Sequence, residues 1–197
     1  MLYRQTIPLD KRNFIISPSF FHTFSKISQD SKTSSLPLDE NFYLRHSALL
    51  SSTSRVDSDI MEDILYRYLA SSTEKENLIS SLGFYGFSFS QNKFVMHLFL
   101  PGEVNISLSD IPVRLHISTD YPNGNEIITE VFCHTHILFV FAVRIPSWCK
   151  NCLFYVNDKL AECKVKNGYV YLKRVWKNED LIKIILYIPS QGLPFLS

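Results

Sequence analysis

GFYGFSFSQNKFVMHLFLPG, residues 83–102, is where the chain changes its period. Before Gly83 the apolar residues recur at helical spacing. After it they alternate, and the stretch predicts a hairpin of strands 84–89 and 94–100 joined at Gln91-Asn92. Gly83 can stop the preceding helix as a left-handed cap, and Pro101-Gly102 supplies a turn.

Further along, strands are predicted at 104–108 and 113–117, split around Asp110 and Pro112, with a turn at Tyr121-Pro122-Asn123-Gly124. Others follow at 127–132, 137–145, 153–156, 169–172 and 181–188. Short strands with turn signals every ~8–12 residues are the pattern of a β-sandwich. Trp148, Phe139, Phe141, Val143, Tyr169, Trp176 and the 181–188 strand are expected to fill much of its core. Toward the N-terminus, Asp57 or Ser58 can cap a helix carrying Ile60, Met61, Ile64, Leu65, Tyr68 and Leu69 on its apolar spacing. Asp59, Glu62 and Asp63 fall near its positive end and are expected to be solvated and ionised. A second short helix is predicted over 74–82, and 41–50 is compatible with a third through Phe42, Leu44, Ala48 and Leu49. Residues 28–36, polar and Ser-rich, predict a loop. The expected fold is mainly β: a partly helical segment over 1–83, an antiparallel β-sandwich over 84–189 and a tail over 190–197.

Composition agrees with a globular chain: 46% hydrophobic, 20% charged, with 15 Phe and 10 Tyr tilting it toward pleated structure. A net charge of +1 offers no field for nucleic acid or an anionic membrane, and no apolar run is long enough for a spanning helix. Residues 1–8 carry no apolar leader, so a cytoplasmic location with reduced thiols is expected. Four Cys do not make a disulfide scaffold.

Several constellations could carry chemistry. Trp148-Cys149-Lys150-Asn151-Cys152 has the thioredoxin spacing, but a strand rather than a helix is predicted after it, so no dipole would stabilise a thiolate. Cys149, Cys152, Cys163 and either His134 or His136 could be drawn into a zinc site, with both imidazoles on one strand face, but a second closely spaced ligand pair is missing. His22, His46 and His116 have no local partner that suggests a triad. Tyr155, Tyr169, Tyr171 and Trp176 could form a sugar-stacking face, although strand aromatics are more often core. Asn105-Ile106-Ser107 fits a glycosylation sequon, which matters only in a secreted chain.

Four stretches carry a resemblance to a known family: Ser58-Asp59-Ile60-Met61-Glu62-Asp63-Ile64-Leu65-Tyr66, Leu82-Gly83-Phe84-Tyr85 running on to Leu98-Phe99-Leu100-Pro101, Thr119-Asp120-Tyr121-Pro122 with Gly124, and Arg144-Ile145-Pro146-Ser147-Trp148. Val156-Asn157, Gly168-Tyr169, Arg174-Val175-Trp176 and Glu179-Asp180 follow in register, the last where the family has Gly-Asp and the first where it has Val-Asn-Gly. In order and spacing these resemble glycoside hydrolase family 127, the β-L-arabinofuranosidase-like enzymes. The resemblance implies the C-terminal β-sandwich of such an enzyme and the end of its (α/α)6 barrel. It also implies a cysteine nucleophile held on zinc by two more cysteines and a glutamate, with a separate glutamate as acid/base. Here Ala70 and Ser71 stand where the family has its Cys-Cys pair, no Cys precedes Cys133, and neither Glu74 nor Glu76 matches a family catalytic position. A twelve-helix barrel needs on the order of 300 residues, far more than residues 1–83 supply.

The expected function is therefore that of a truncated, non-catalytic fragment or accessory β-sandwich module, a pseudoenzyme without catalytic residues, cofactor or metal. Two alternatives stand beside it. One is an active component acting on arabinose-containing glycans, with a partner chain supplying the barrel. The other is a small binding or scaffold protein that reuses the sandwich. The expected partners are a carbohydrate ligand and a second copy or partner chain covering an apolar barrel-facing surface; nucleic acid and membrane are not expected.

Overall fold

The computed structural model describes residues 7–8, 14–17, 59, 62, 66, 86–190 and 192–193. The predicted helices at 41–50 and 74–82 lie outside these residues, as do Ala70, Ser71, Glu74 and Glu76. Two sheets face each other across one core. In chain order the strands are β1 (Ile7–Pro8), β2 (Phe14–Ile16), β3 (Phe87–Ser90), β4 (Lys93–Met96), β5 (Gly102–Leu108), β6 (Ile111–Thr119) and β7 (Glu126–Cys133). Then come β8 (Ile137–Arg144), β9 (Cys152–Val156), β10 (Lys159–Leu160), β11 (Val165–Lys166), β12 (Tyr169–Trp176) and β13 (Asp180–Leu186). The first sheet runs β1-β3-β4-β8-β12-β11 and the second β10-β9-β13-β7-β6-β5-β2. Among the described residues every strand pairing is antiparallel except that of β4 with β8.

Alternation decides the faces. Val104, Ile106 and Leu108 of β5, Val113, Leu115 and Ile117 of β6, and Ile182, Ile184 and Leu186 of β13 point inward. They meet Ile137, Phe139, Phe141 and Val143 of β8 from the opposite sheet. Trp176 is wholly buried among them, its indole N–H donating to the Phe139 carbonyl at 3.1 Å. Trp148 is only partly buried and packs on the rim of this core.

The tight turns follow from residues that tolerate a left-handed backbone. Ser109-Asp110 joins β5 to β6, Asn157-Asp158 joins β9 to β10, and Asn167-Gly168 joins β11 to β12, all with positive φ. Pro112 lies inside β6 instead of splitting two strands: it faces Ser107, and its neighbour Val113 keeps the ladder to β7. Sequence periodicity overlooked β10 and β11, whose two-residue lengths are too short to show alternation.

The outer face of the first sheet is divided. Val95, Ala142 and Tyr169 form a small second cluster there that is fully covered. Leu138 and Val175, directly paired in register, are about half exposed, and Tyr171 is also open to solvent.

Replacing Trp176 with Ala should cost about 3–5 kcal/mol, the usual range for emptying a buried aromatic site. Denaturant unfolding of the variant beside the parent checks it; an unchanged midpoint would contradict the inward placement of this ring.

Candidate functional site: a buried arginine joint

β8 ends on Arg144, and its alternation puts that side chain on the outer face of the first sheet, beyond Ala142. A cation wholly out of water needs its donors and its charge satisfied locally. Arg144 Nε donates to the His97 carbonyl at 2.6 Å, just past the end of β4. Nη1 donates to Asp59 Oδ1, and Nη2 lies 2.9 Å from Glu62 Oε1 as an ion pair without the alignment of a hydrogen bond. Asp59, Glu62 and Tyr66 are helical and spaced three and four apart, so one helix face meets the guanidinium. The Asp59 carboxylate also accepts the Ser147 amide, at 3.2 Å through Oδ2.

The turn after β6 closes the joint from the other side. Thr119 Oγ1 accepts the Tyr121 amide at 3.0 Å and donates to the Glu126 carbonyl at 2.7 Å. Asn123 and Gly124 amides both donate to the Asp120 carbonyl, and Tyr121-Pro122 is cis. This presents the Tyr121 hydroxyl to Glu62 Oε1 at 2.8 Å. Around the Tyr121 ring, Tyr66 and Phe99 stand edge-on at 5.6 and 5.1 Å, and Trp148 lies nearly parallel at 6.4 Å.

Burial pushes the Glu62 carboxyl above its ordinary range, and the Arg144 guanidinium and Tyr121 hydroxyl draw it partly back. Glu62 and Asp59 hold Arg144 firmly as a cation in spite of its burial. Burial, then the Glu62 charge, raises the Tyr66 and Tyr121 phenols well above their usual value, so both stay protonated.

A second network adjoins the first. His97 Nε2 is 2.8 Å from Ser88 Oγ and Nδ1 is 2.8 Å from the Tyr169 hydroxyl. The chain Ser–His–Tyr has the order of a nucleophile, a base and an orienting group. Yet Ser88, His97 and Tyr169 are all at most 3% exposed, so no substrate reaches the hydroxyl. Burial lowers His97 to about 3, helped by the positive charges of Arg144 and Lys93, and its imidazole is neutral.

These positions correct several expectations. Glu62 is not a solvated helix-start carboxylate: it is 1% exposed, because the helix face that carries it is the packed one. Asp63 lies outside the described residues. The four aromatics suggested as a sugar face do not share one. Trp176 is core, Tyr169 is covered, Tyr171 is exposed on the first sheet, and Tyr155 belongs to β9 of the second. His134 and His136 lie in the exposed β7–β8 connection, not on one strand face. Among the described residues no group of three or more His, Cys, Asp or Glu is gathered to hold a metal. Cys149 precedes strand β9 and donates through Sγ to the Asn151 carbonyl at 3.1 Å. Burial raises the Cys152 and Cys163 thiols, the direction opposite to a reactive thiolate. Ala70 and Ser71, which the resemblance sets at the family's zinc-binding Cys-Cys pair, carry no thiolate and lie outside the described residues.

The architecture is thus a two-sheet sandwich with a helical face locked to one sheet by a buried Arg–carboxylate–tyrosine cluster. Residues 93–188 match the family described as beta-L-arabinofuranosidase, GH127 middle domain, and the resemblance to glycoside hydrolase family 127 holds for the sandwich. The matching domain is a middle one, which corrects the expectation of a C-terminal sandwich. Among solved structures, a GH127 β-L-arabinofuranosidase from Geobacillus stearothermophilus T6 superposes with a TM-score of 0.54 at 22% identity, over 68% of this chain and 20% of that one. A second GH127 β-arabinofuranosidase gives 0.53 at 18% identity, over 67% of this chain and 23% of its own. The chain therefore spans about a fifth of the length of these enzymes, and at such identities the likeness bears on fold alone. No curated protein matches.

Removing Arg144 as Arg144→Leu strands the buried Glu62 carboxylate and should cost about 3–5 kcal/mol; pairing it with Asp59→Ala and Glu62→Leu should recover much of that. A triple variant no more stable than Arg144→Leu would contradict the pairing. For His97 the folded value lies below the unfolded one, so the unfolded chain binds the extra proton between pH ~6.5 and about 3. Its contribution is complete above pH ~6.5 and declines on acidification by up to about 1.4 kcal/mol per pH unit. Glu62, with its value raised, contributes with the opposite sign. His97→Gln should flatten the acid limb of stability against pH relative to the parent, read by urea melts between pH 7 and 4.

Proposed function

We propose that this chain is a non-catalytic β-sandwich module related to the β-L-arabinofuranosidase-type glycoside hydrolases. The burial of Glu62 carries the reading. Retaining hydrolysis needs two groups about 5–5.5 Å apart, both reaching a sugar. The carboxylates that the resemblance brings to the sandwich, Asp59 and Glu62, instead close on Arg144, Tyr121 and the Ser147 amide. Their chemistry is spent on holding a helix face to a sheet. Ala70 and Ser71 at the aligned nucleophile positions support the same reading, since neither supplies a thiolate.

A second reading, a hydrolase component whose barrel belongs to a partner chain, is favoured by the exposed Leu138–Val175 pair and Tyr171 on the outer face of the first sheet. It expects association through that face; a monomer at all concentrations in sedimentation velocity, unaltered by a barrel-bearing chain, counts against it.

The purified chain should show no turnover of aryl β-L-arabinofuranosides, with or without zinc and reductant. The assay is run at high protein concentration beside Ser71→Ala and Glu62→Gln. Activity in the parent that disappears in either variant would overturn the non-catalytic reading.

A further inference from the structure

Cys152 opens β9, and Cys163 lies in the crossover, residues 161–164, that leaves β10 for β11 of the first sheet. The β9–β10 register sets Val156 opposite Lys159 and Tyr155 opposite Leu160. The Ala161 amide carries that register one step further, donating to the Phe154 carbonyl at 2.8 Å. Two residues further from the Asn157-Asp158 turn, Cys163 falls opposite Cys152. Facing residues of an antiparallel ladder point to the same side and lie roughly 4.5–5.5 Å apart between Cα atoms. Here the shared side is the inner one, since Cys152 stands in alternation with the buried Phe154 and Val156. Both thiols are partly buried and pack against the rim of the main core. Cys133 and Cys149 are more deeply buried, and Cys149 Sγ is turned to the Asn151 carbonyl.

We propose that Cys152 and Cys163 are a redox pair whose thiols join as a disulfide, tying the β10–β11 crossover to β9. The ladder spacing lies inside the roughly 4.4–6.8 Å between Cα atoms that a disulfide spans. Burial raises both thiols, and Cys152 raises Cys163 further, an electrostatic effect that needs the two groups near each other. The oxidant is a small-molecule disulfide such as glutathione disulfide. One protein thiolate attacks a sulfur of it, forming a mixed disulfide and expelling one glutathione thiolate. The second protein thiolate then attacks the protein sulfur, closing the Sγ–Sγ bond and expelling the other glutathione. The protein gives up two electrons and two protons, and the glutathione disulfide becomes two thiols. Raised thiols make the first attack slow at neutral pH, but the second is intramolecular and favoured by the facing positions. β10 and β11 are only two residues long and, among the described residues, end their sheets. The crossover between them has little ladder of its own, and the bond anchors it to a strand paired on both sides. The pair shares no residue with the arginine joint and stands whether or not the module is catalytic.

The test equilibrates the full chain, natively folded, in glutathione buffers of graded oxidised-to-reduced ratio at mildly alkaline pH. Acid quenching, alkylation of the remaining thiols under denaturation and a tryptic peptide map by mass spectrometry follow. Trypsin cuts after Lys150, Lys159 and Lys164, so Cys149, Cys152 and Cys163 fall on separate peptides. The parent should yield the Cys152 and Cys163 peptides cross-linked, with Cys133 and Cys149 alkylated, and dithiothreitol should undo the link. The oxidised chain should melt several degrees above the reduced one. Cys163→Ser should lose both the link and that shift, and Cys149→Ser should keep both. The peptide map of the parent decides the point without relying on the folding of either variant. A Cys149–Cys152 link, glutathione on Cys152 and Cys163 with no bond between them, four alkylated thiols at the most oxidising ratio, or a link that forms only in urea would each overturn the inference.

Discussion

A guanidinium without access to water has to find its counter-charges and acceptors within the fold, and Arg144 finds them on three separate pieces of chain. The carbonyl after β4, two carboxylates on a helical face and, through Glu62, the hydroxyl of the β6–β7 turn are all tied to one side chain. Such a cluster contributes less net stability than its charges suggest, since desolvation offsets most of the attraction. Its stronger effect is on specificity. A helix held only by apolar contacts could slide by a turn along the sheet at little cost, whereas this one has a single register in which no buried charge is left unpaired. Tyr121, Phe99 and Trp148 then pack around that register as an aromatic collar.

Much of the sandwich was legible in the sequence because its inner and outer faces alternate cleanly, as in β5 and β6, where Val104 to Ile117 switch between core and solvent. The resemblance pointed to the right residues for the joint, since its Asp-x-x-Glu, Thr-Asp-Tyr-Pro and Arg-Ile-Pro-Ser-Trp stretches meet in space. Their role was not legible. An acidic cluster after a helix cap has the same local signature whether it faces water or a buried arginine, and the arginine that decides it lies more than eighty residues away. The one local sign was the spacing of Asp59, Glu62 and Tyr66 on a common face. The Ser88–His97–Tyr169 network was equally hidden, because its members come from β3, the segment just after β4, and β12.

Two departures from the family pattern have a visible structural meaning. Asp158 and Glu179 occupy positions where the family pattern has glycine, and both adopt positive φ, at 61° and 63°. Glycine reaches that conformation without a Cβ penalty, whereas other residues are strained there. The surrounding bonds hold the chain in place regardless: Asn157 Nδ2 donates to Asp180 Oδ1 at 2.8 Å, Asn157 Oδ1 accepts the Leu181 amide at 2.8 Å, and Asp180 Oδ2 accepts the Lys177 amide at 2.9 Å. Asn157 and Asp180 therefore form a clasp between β9 and β13 with no glycine at either position.

That clasp belongs to a strand with an awkward position in time. β13, the last of the described strands, lies between β9 and β7 in the interior of the second sheet. As the chain emerges from the ribosome, β5, β6 and β7 can zip into a meander, and β9 can curl onto β10, long before their common neighbour exists. Until β13 arrives, two strand edges stand open, each lined with unpaired amides and carbonyls and backed by apolar side chains. Such edges are the surfaces through which nascent chains pair wrongly with one another. The crowded, fully paired centre of the finished sheet is thus the same place that is most exposed to misassembly while the protein is being made.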